Sequence, residues 1–282
     1  MMQNIKLDSL IEISNHIGNN PAYIQGGGGN TSYKNSEILY VKASGTLLKN
    51  MSINSGIAEI ELNSLNQYLE NPDSDENIFA SKVKSYCINN QKPSIETGLH
   101  AVIPYNYVIH SHSVYANVVT CAFEADEILY DLFKNEYVFV PYATPGVELI
   151  KAYLNVYKTN QECKVIFLQN HGVVSFSNDP LTALKEHYLY SEKIKEKFKL
   201  NDFNETTFKE LDIKDFLFPD QIVYSINNTD KTSDAYKETI KAYIYIHDNI
   251  NKIGLHPNYL SEKNIASVLG MDSEKYRASM MK

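Results

Sequence analysis

The sequence predicts an α/β protein, because two kinds of apolar pattern alternate along it. Short apolar runs, typical of buried strands, occur at 38–42, 107–110 and 164–169. Longer segments at 4–18 and 180–199 instead carry apolar residues at helical spacing. With 282 residues, of which 43% are hydrophobic, the chain can bury a core of substantial size.

The first part of the chain combines a helix, a glycine-rich loop and a hairpin. The helical pattern at 4–18 ends at Asn19-Asn20-Pro21, and four consecutive glycines follow at 26–29. A hairpin comes next, whereas a nucleotide-binding loop would open onto a helix. The glycines therefore fit either backbone amides that approach an anion or a flexible turn. Two helices with mixed polar faces are predicted at 62–69 and 77–88.

The middle of the chain continues the alternation. A helix opens at Pro93 and Ser94, two residues that favour a helix entry. Further helices are predicted at 114–122, 125–133, 147–157 and 180–199, and further strands at 137–140, 164–169 and 172–176.

The C-terminal part follows these patterns less clearly. We expect residues 216–224 to be extended, 235–250 to be helical and short helices to follow up to 282. The Asp- and Asn-rich residues 201–206 are the candidate linker. The predicted organisation is therefore one domain over 1–200 and a C-terminal extension over 201–282, to which the sequence assigns no role.

The charge balance limits the possible partners. A formal net charge of −8 argues against non-specific binding to nucleic acid, which needs a basic surface. Arg277 is the single arginine among 26 basic residues, so an arginine fork on a phosphate is not expected. An anion would instead be held by backbone N–H groups, hydroxyls and lysine.

Cysteines and hydropathy bear on the compartment. Cys87, Cys121 and Cys163 are odd in number and widely spaced, which fits buried thiols in a reducing environment better than disulfides. No apolar run is long enough to cross a bilayer, and no leader pattern is present at the N-terminus. We therefore expect a cytoplasmic protein without a membrane or nucleic-acid partner.

Two histidines end the stretch at 107–112, which is predicted to be a strand. Because side chains alternate along a strand, His110 and His112 share one face and Ser111 lies on the other. Two imidazoles on one face form half of a metal site, although such a pair also occurs as ordinary core or surface histidines. Another histidine, His171, follows the strand at 164–169.

Four short motifs resemble those of the class II aldolase/adducin family. They are Gly-Gly-Asn-Thr-Ser-x-Lys at 28–34, Val-Lys-x-Ser-Gly at 41–45, Pro-Ser-Ile-Glu-Thr at 93–97 and Asn-His-Gly at 170–172. Each motif alone is weak, but the four occur in the family's order over about residues 5–200. Their details are most similar to the branch of L-rhamnulose-1-phosphate aldolase domains.

The resemblance implies a mostly antiparallel central sheet layered by helices, with the C-terminal extension added to it. It also implies that His110, His112 and His171 bind zinc or another divalent metal, one ion per chain. Three neutral imidazoles would leave the ion an open position for substrate, as catalytic zinc sites require.

The same resemblance assigns two catalytic roles. Glu96 matches the family's acid/base carboxylate, a role for which we expect its pKa to approach the working pH; the alternative is a helix N-terminal glutamate. The turn at 141–144 resembles a segment whose tyrosine reaches a neighbouring subunit's site, so Tyr142 would assist proton transfer there or be an ordinary buried tyrosine. His100, one helical turn after Glu96, is expected in a supporting layer.

Phosphate binding in the family would fall on Gly28, Gly29, Asn30, Ser44, Gly45 and Ser94. Two departures weaken this set. Gly27 and Gly28 stand where fuculose-phosphate aldolase has hydroxyl residues, and Ile95 replaces a serine. Lys34 or Lys42 could compensate.

The function that these residues imply is a zinc-dependent lyase. It would cleave a ketose phosphate, a small sugar phosphate, to dihydroxyacetone phosphate and an aldehyde, in a homo-oligomer that is a tetramer by resemblance. Sugar-phosphate 4-epimerases, decarboxylases and dehydratases of the same fold remain alternatives. A noncatalytic, adducin-like interaction protein is the alternative from another class.

Overall fold

The computed structural model describes residues 2–211, 213–227 and 230–281. Within this part of the chain, seven strands form one sheet: β1 Asn30–Lys34, β2 Ile38–Lys42, β3 Ile57–Glu61, β4 Tyr107–Ser111, β5 Tyr137–Val140, β6 Val165–Leu168 and β7 Gly172–Ser177. Their order is β3-β2-β1-β4-β7-β6-β5. All neighbouring strands are antiparallel except β5 and β6. The predicted mostly antiparallel α/β fold is therefore confirmed.

Helices cover the sheet and make up most of the C-terminal part. They are α1 Met2–Gly18, α2 Leu62–Leu69, α3 Glu76–Ser85, α4 Thr97–Val102, α5 Val114–Thr120, α6 Ala125–Phe133, α7 Val147–Tyr157, α8 Pro180–Phe198, α9 Pro219–Ile222, α10 Asp234–Lys252, α11 Glu262–Gly270 and α12 Asp272–Met280. None of the described helices is both long and apolar enough to cross a membrane.

Strand β4 shows how the two faces of the sheet are used. Ile109 lies in an apolar layer with Leu10 of α1 and Val118 of α5. Its neighbour Val108 lies in the opposite layer, which contains Leu99 of α4. Because side chains alternate along a strand, His110 shares the face of Val108 and is directed towards the start of α4.

The C-terminal part differs from its prediction at residues 216–224. An extended segment was expected there, but α9 begins at Pro219 and a π-helical turn follows over Val223–Asn227. Proline is favoured in the first turn of a helix because its missing N–H would be unpaired there in any case. The candidate linker at 201–206 also differs from a free connection, since Phe203 is buried and packs edge-on against Tyr245.

Lys34 of β1 is used to hold α4. Its ammonium group is buried and donates hydrogen bonds to the carbonyls of His100, at 2.6 Å, and Ala101, at 2.9 Å, and also to that of Ile103. Carbonyls at a helix C-terminus lack partners within the helix, so this lysine satisfies them. The side chain is therefore committed to α4 and not to an anion.

We expect Lys34→Met to lower the free energy of unfolding by roughly 2–4 kcal/mol, because it leaves buried carbonyls without a charged donor. Urea unfolding followed by circular dichroism measures this change. Lys164→Met is the matched control, since Lys164 makes an exposed ion pair with Glu136 and should matter little. Equal stability of the two variants would contradict the role given to Lys34.

Candidate active site

Three histidines converge at the edge where β4 ends and β7 begins. One ring nitrogen from each of His110, His112 and His171 lies within 4.8 Å of those of the other two, and all three side chains are buried. His110 is in β4, His112 follows this strand and His171 precedes β7. Because β4 and β7 are antiparallel neighbours, the end of one lies beside the start of the other.

The Asn170-His171-Gly172 motif owes its residue types to local geometry. Asn170 has a φ of 54°, in the left-handed region that asparagine tolerates better than most residues. Its amide donates to the carbonyls of Leu217, at 2.8 Å, and Asn258, at 2.5 Å. A Cβ on Gly172 would lie 2.2 Å from the carbonyl oxygen of Ser111, so only glycine lets the two strands approach here.

The donor set fits a divalent metal. The carbonyl of Val173 lies 3.2 Å from Nδ1 of His110 and can only accept, so that nitrogen carries the proton and Nε2 keeps a free lone pair. Nε2 of His110 and Nδ1 of His171 are buried without a hydrogen-bond partner among the described residues. Burial lowers the pKa of His110 and lowers that of His171 to about 3, so both are neutral, as ligands must be.

Glu96 lies against this cluster, immediately before α4. Its Oε2 is 3.4 Å from Nε2 of His110, and its Oε1 is 3.6 Å from Nε2 of His171. Burial raises the pKa of the Glu96 carboxyl, but the two imidazoles and the amide of Asn30 outweigh it and lower the pKa overall. The expectation of a pKa near the working pH is therefore wrong, because the amide of Asn30 donates to the carboxylate and an imidazole that gains a proton stabilises its negative charge.

A chain of hydrogen bonds fixes the orientation of Glu96. The Nδ2 group of Asn30 donates to Oε2 of Glu96 at 2.6 Å, and its Oδ1 accepts from Nε2 of His100. Nδ1 of His100 then accepts from the hydroxyl of Ser32 at 2.6 Å. His100 thus lies in a supporting layer behind Asn30, and the amide of Asn30 can point only one way.

The C-terminal part contributes three charged side chains that the sequence patterns did not indicate. Asp220 of α9 places Oδ2 3.0 Å from Nδ1 of His112. Arg277 of α12 pairs with Oδ1 of Asp220 and, at 2.5 Å, with Glu274. Asp220 and Glu274 are almost completely buried, and the side chain of Arg277 is 13% exposed. In the sequence, Arg277 stood out only as the single arginine, and no pattern marked Asp220 or Glu274 as site residues.

A small cavity joins these groups to the predicted phosphate residues. It holds about 30 Å³ and is lined by Gly29, Asn30, Lys42, Ser44, Ser94, Glu96, His112, His171, Asp220, Glu274 and Arg277, among others. Lys42 donates to the carbonyl of Gly27 at 2.9 Å, so it rather than Lys34 is directed to this site. A larger cleft, of about 690 Å³, touches none of the three histidines.

Two of the residues predicted to bind phosphate have other neighbours. A Cβ on Gly28 would lie 2.6 Å from Oδ2 of Asp220 and 2.7 Å from Nδ1 of His112, so this glycine makes room for that pair. Gly45 has a φ of 83° and packs against Met280. Phosphate binding by either residue stays a prediction.

Tyr142 packs within its own chain. Its ring lies against the apolar cluster that contains Phe216, Ile222 and Leu260, and its hydroxyl is buried without a hydrogen-bond partner among the described residues. Burial raises the pKa of this hydroxyl further above its ordinary value. The ring contacts fit the alternative of a buried tyrosine but the unpaired hydroxyl does not, and its role across a subunit boundary and the tetramer stay predictions.

Sequence comparison identifies the family. Residues 8–196 match the family model of the Class II Aldolase and Adducin N-terminal domain. The chain belongs to this family. The match ends before Asp220, Glu274 and Arg277, so these three residues lie outside the family's domain.

Two relatives show how far the similarity extends. An uncharacterized oxidoreductase, YuxG, of Bacillus subtilis is 30% identical over 194 residues, which are 64% of this chain but only 28% of that protein. An L-fuculose phosphate aldolase of Methanococcus maripaludis is 27% identical over 206 residues, covering 70% of this chain and 96% of that enzyme. The narrower resemblance to rhamnulose-phosphate aldolase domains stays a prediction.

Solved structures share the fold. The N-terminal class II aldolase domain of a conserved protein from Thermoplasma acidophilum has a TM-score of 0.62 at 27% identity, covering 67% of this chain and 92% of that one. YgbL of Klebsiella pneumoniae, a putative aldolase/epimerase/decarboxylase, has a TM-score of 0.53 at 17% identity, over 72% and 92% of the two chains. The second similarity shows the fold alone.

We expect the purified protein to bind about one divalent ion per chain, because one ring nitrogen from each of three buried imidazoles lies within 4.8 Å of the other two. Elemental analysis after purification without chelators or a nickel column measures this. His171→Ala should lose the ion while keeping its circular dichroism spectrum. The control His256→Ala removes an exposed histidine paired with Glu124 and should keep it. A folded protein that takes up no ion from added zinc would contradict the assignment.

Proposed function

We propose that this chain is a metal-dependent lyase that cleaves a ketose phosphate to dihydroxyacetone phosphate and an aldehyde. The observation that carries the proposal is the contact of Glu96 with both His110 and His171, beside the small cavity that Glu96 and His171 line. A carboxylate beside a three-imidazole cluster can move a proton at a carbon next to a polarised carbonyl. Belonging to the class II aldolase and adducin family supports the same chemistry.

The reaction can be balanced with residues of this cavity. The C4 hydroxyl gives up its proton, the C3–C4 bond breaks to leave an aldehyde, and C3 gains a proton to complete dihydroxyacetone phosphate. The ion, when bound, would polarise the ketose carbonyl and stabilise the negative charge that develops on the three-carbon fragment. Glu96, ionised because of its lowered pKa, would take the first proton as a base and return one to C3.

Asn30 would keep Glu96 aligned during this exchange. Its amide donates to Oε2, and His100 holds the amide from behind. Oε1 has no hydrogen-bond partner among the described residues, so it is the oxygen available to substrate. One carboxylate oxygen would thus be anchored and the other free to react.

The charges of the cavity support a substrate with an anionic group. Lys42 and Arg277 line it together with the hydroxyls of Ser44 and Ser94. Burial and the nearby Arg277 lower the pKa of Lys42 to about 8, which still leaves the ammonium mostly protonated near neutral pH. Arg277 adds a cation that the sequence argument had set aside, although Asp220 and Glu274 already engage part of its guanidinium.

A noncatalytic, adducin-like role fits the same residues less well. Burying three imidazoles and a carboxylate costs free energy unless they are paired. Several of their polar atoms nevertheless lack partners, among them Nε2 of His110, Nδ1 of His171 and Oε1 of Glu96. Such a cluster is costly in a purely structural core and useful at a site that binds an ion and a substrate.

We expect Glu96→Gln to keep its metal and lose about 100-fold or more in turnover, the scale of a lost acid/base group. The glutamine keeps the size of the side chain but cannot accept a proton. Glu76→Gln is the matched control, because Glu76 accepts from the backbone N–H of Val147 and Glu148 outside the cavity. Release of the ion from Glu96→Gln would make Glu96 a ligand instead.

A substrate panel tests the reaction itself. We expect L-rhamnulose 1-phosphate, or a close stereoisomer, to be cleaved with release of dihydroxyacetone phosphate. A coupled assay for triose phosphate measures this release. The panel also contains 5-phosphates, unphosphorylated sugars and 3-oxo acid phosphates, with carbon dioxide measured in parallel. Equal use of free and phosphorylated sugars would discard the anion site. Carbon dioxide without triose phosphate would replace the lyase by a decarboxylase.

A further inference from the structure

We infer that Asp220, which lies beyond the family's domain, is a positioning residue that orients His112 and sets the metal affinity of the three-histidine cluster. The inference rests on the metal site of the proposed function. It gives the C-terminal extension a role that nothing in the sequence indicated, since the extension supplies part of the site's second layer of contacts.

The contact between the two side chains is close and buried. Oδ2 of Asp220 lies 3.0 Å from Nδ1 of His112, and these side chains are 4% and 5% exposed. A carboxylate can only accept, so this contact favours the tautomer in which Nδ1 of the imidazole carries the proton. The lone pair of His112 is then on Nε2, the one nitrogen of the ring left to bind an ion.

His110 uses the same arrangement with a weaker acceptor. Its Nδ1 faces the carbonyl oxygen of Val173 at 3.2 Å, which again leaves Nε2 for the ion. In both His110 and His112, an oxygen atom thus lies beside Nδ1 and leaves Nε2 to bind the ion. A carboxylate in this place also makes the imidazole a better electron donor, because its negative charge stabilises the partial positive charge on the ring.

Asp220 is itself held in place on two sides. Oδ1 is paired with Arg277, which Glu274 binds in turn through Nε, at 2.8 Å, and Nη2. On the other side Gly28 leaves space for the pair, since a Cβ there would clash with both Oδ2 and Nδ1. Among the described residues Oδ2 makes no hydrogen bond of regular geometry, and it faces Nδ1 of His112 as a close ion-pair contact at 3.0 Å.

A purely structural reading would make Asp220 only a counterion for Arg277. The two readings differ in what they predict for the ion. A counterion for Arg277 affects folding stability but not the affinity of the histidines. A positioning residue affects affinity and the electronic environment of the bound ion even where the fold is intact.

The test compares Asp220→Asn and Asp220→Ala with wild type. Zinc dissociation constants are measured by competition with a chromophoric chelator, and visible absorption spectra are recorded with cobalt in place of zinc. We expect zinc affinity to fall by roughly 10- to 100-fold for Asp220→Ala, the usual effect of removing such a partner. Asp220→Asn should also lose affinity, because it removes the negative charge beside Nδ1 and its single acceptor oxygen cannot face both Nδ1 and Arg277, and its cobalt spectrum should shift.

Glu238→Gln is the matched control. Glu238 of α10 accepts from the backbone N–H of Gly26 at 2.6 Å, so it ties the same extension to the glycine-rich loop without contacting a histidine. This variant should keep the wild-type zinc affinity and cobalt spectrum, even if its melting temperature falls.

Wild-type affinity and spectrum in both Asp220 variants would overturn the inference while leaving the proposed function intact. A wild-type protein that binds neither zinc nor cobalt would instead overturn the metal site, and with it the proposed function. An equal loss of affinity in Glu238→Gln would also overturn the inference, because docking of the extension alone would then explain the effect. If Asp220→Ala fails to fold, Asp220→Asn decides the question.

Discussion

The register of β4 between β1 and β7 is the constraint on which the candidate site depends. Asn30 of β1 stands opposite His110, and on the other side Ser111 stands opposite Val173 of β7. A slip of one residue would turn His110 to the opposite face of the sheet. A contact on the opposite face of the sheet also fixes the register, since Oγ of Ser111 lies 2.6 Å from Nε2 of His187.

The buried polar groups beside this register form a chain of hydrogen bonds that ends at Glu96. From Ser32 through His100 and Asn30 to Glu96, each donor meets an acceptor, as a buried network requires. The unpaired atoms at the site are Nε2 of His110, Nδ1 of His171, Oε1 of Glu96 and Oδ2 of Asp220. A network that is complete except where several ligand atoms converge has the form of a preorganised site rather than of a faulty core.

Sequence patterns were sufficient for the parts that depend on local order. Alternation and helical spacing placed β5, α6 and α7 at their observed bounds, and the His-x-His pair indicated a shared face because strand geometry dictates it. The prediction of an extended segment at 216–224 was wrong. A strand and a short helix would both bury its apolar residues, so their pattern does not distinguish the two. Only packing against α10 and α12 decides between the two.

Long-range placement is what the sequence could not supply. Asp220 contacts His112, and Arg277 contacts Asp220, through the packing of helices that are far from β4 along the chain, and no spacing rule connects them. The wrong expectation for the pKa of Glu96 has the same origin. Burial of a glutamate suggests a raised pKa, but its sign depends on which groups surround the carboxyl, here two imidazoles and an amide.

The size of the cavity bears on the catalytic cycle as a whole. Its volume of about 30 Å³ accommodates about two waters, whereas pockets for small ligands usually measure about 300–1,000 Å³. The proposed ketose phosphate would therefore need part of the lining to move, and Pro219, Asp220, Ser273, Glu274 and Arg277 form one wall of it. Turnover would then include this movement both when the substrate binds and when the products leave.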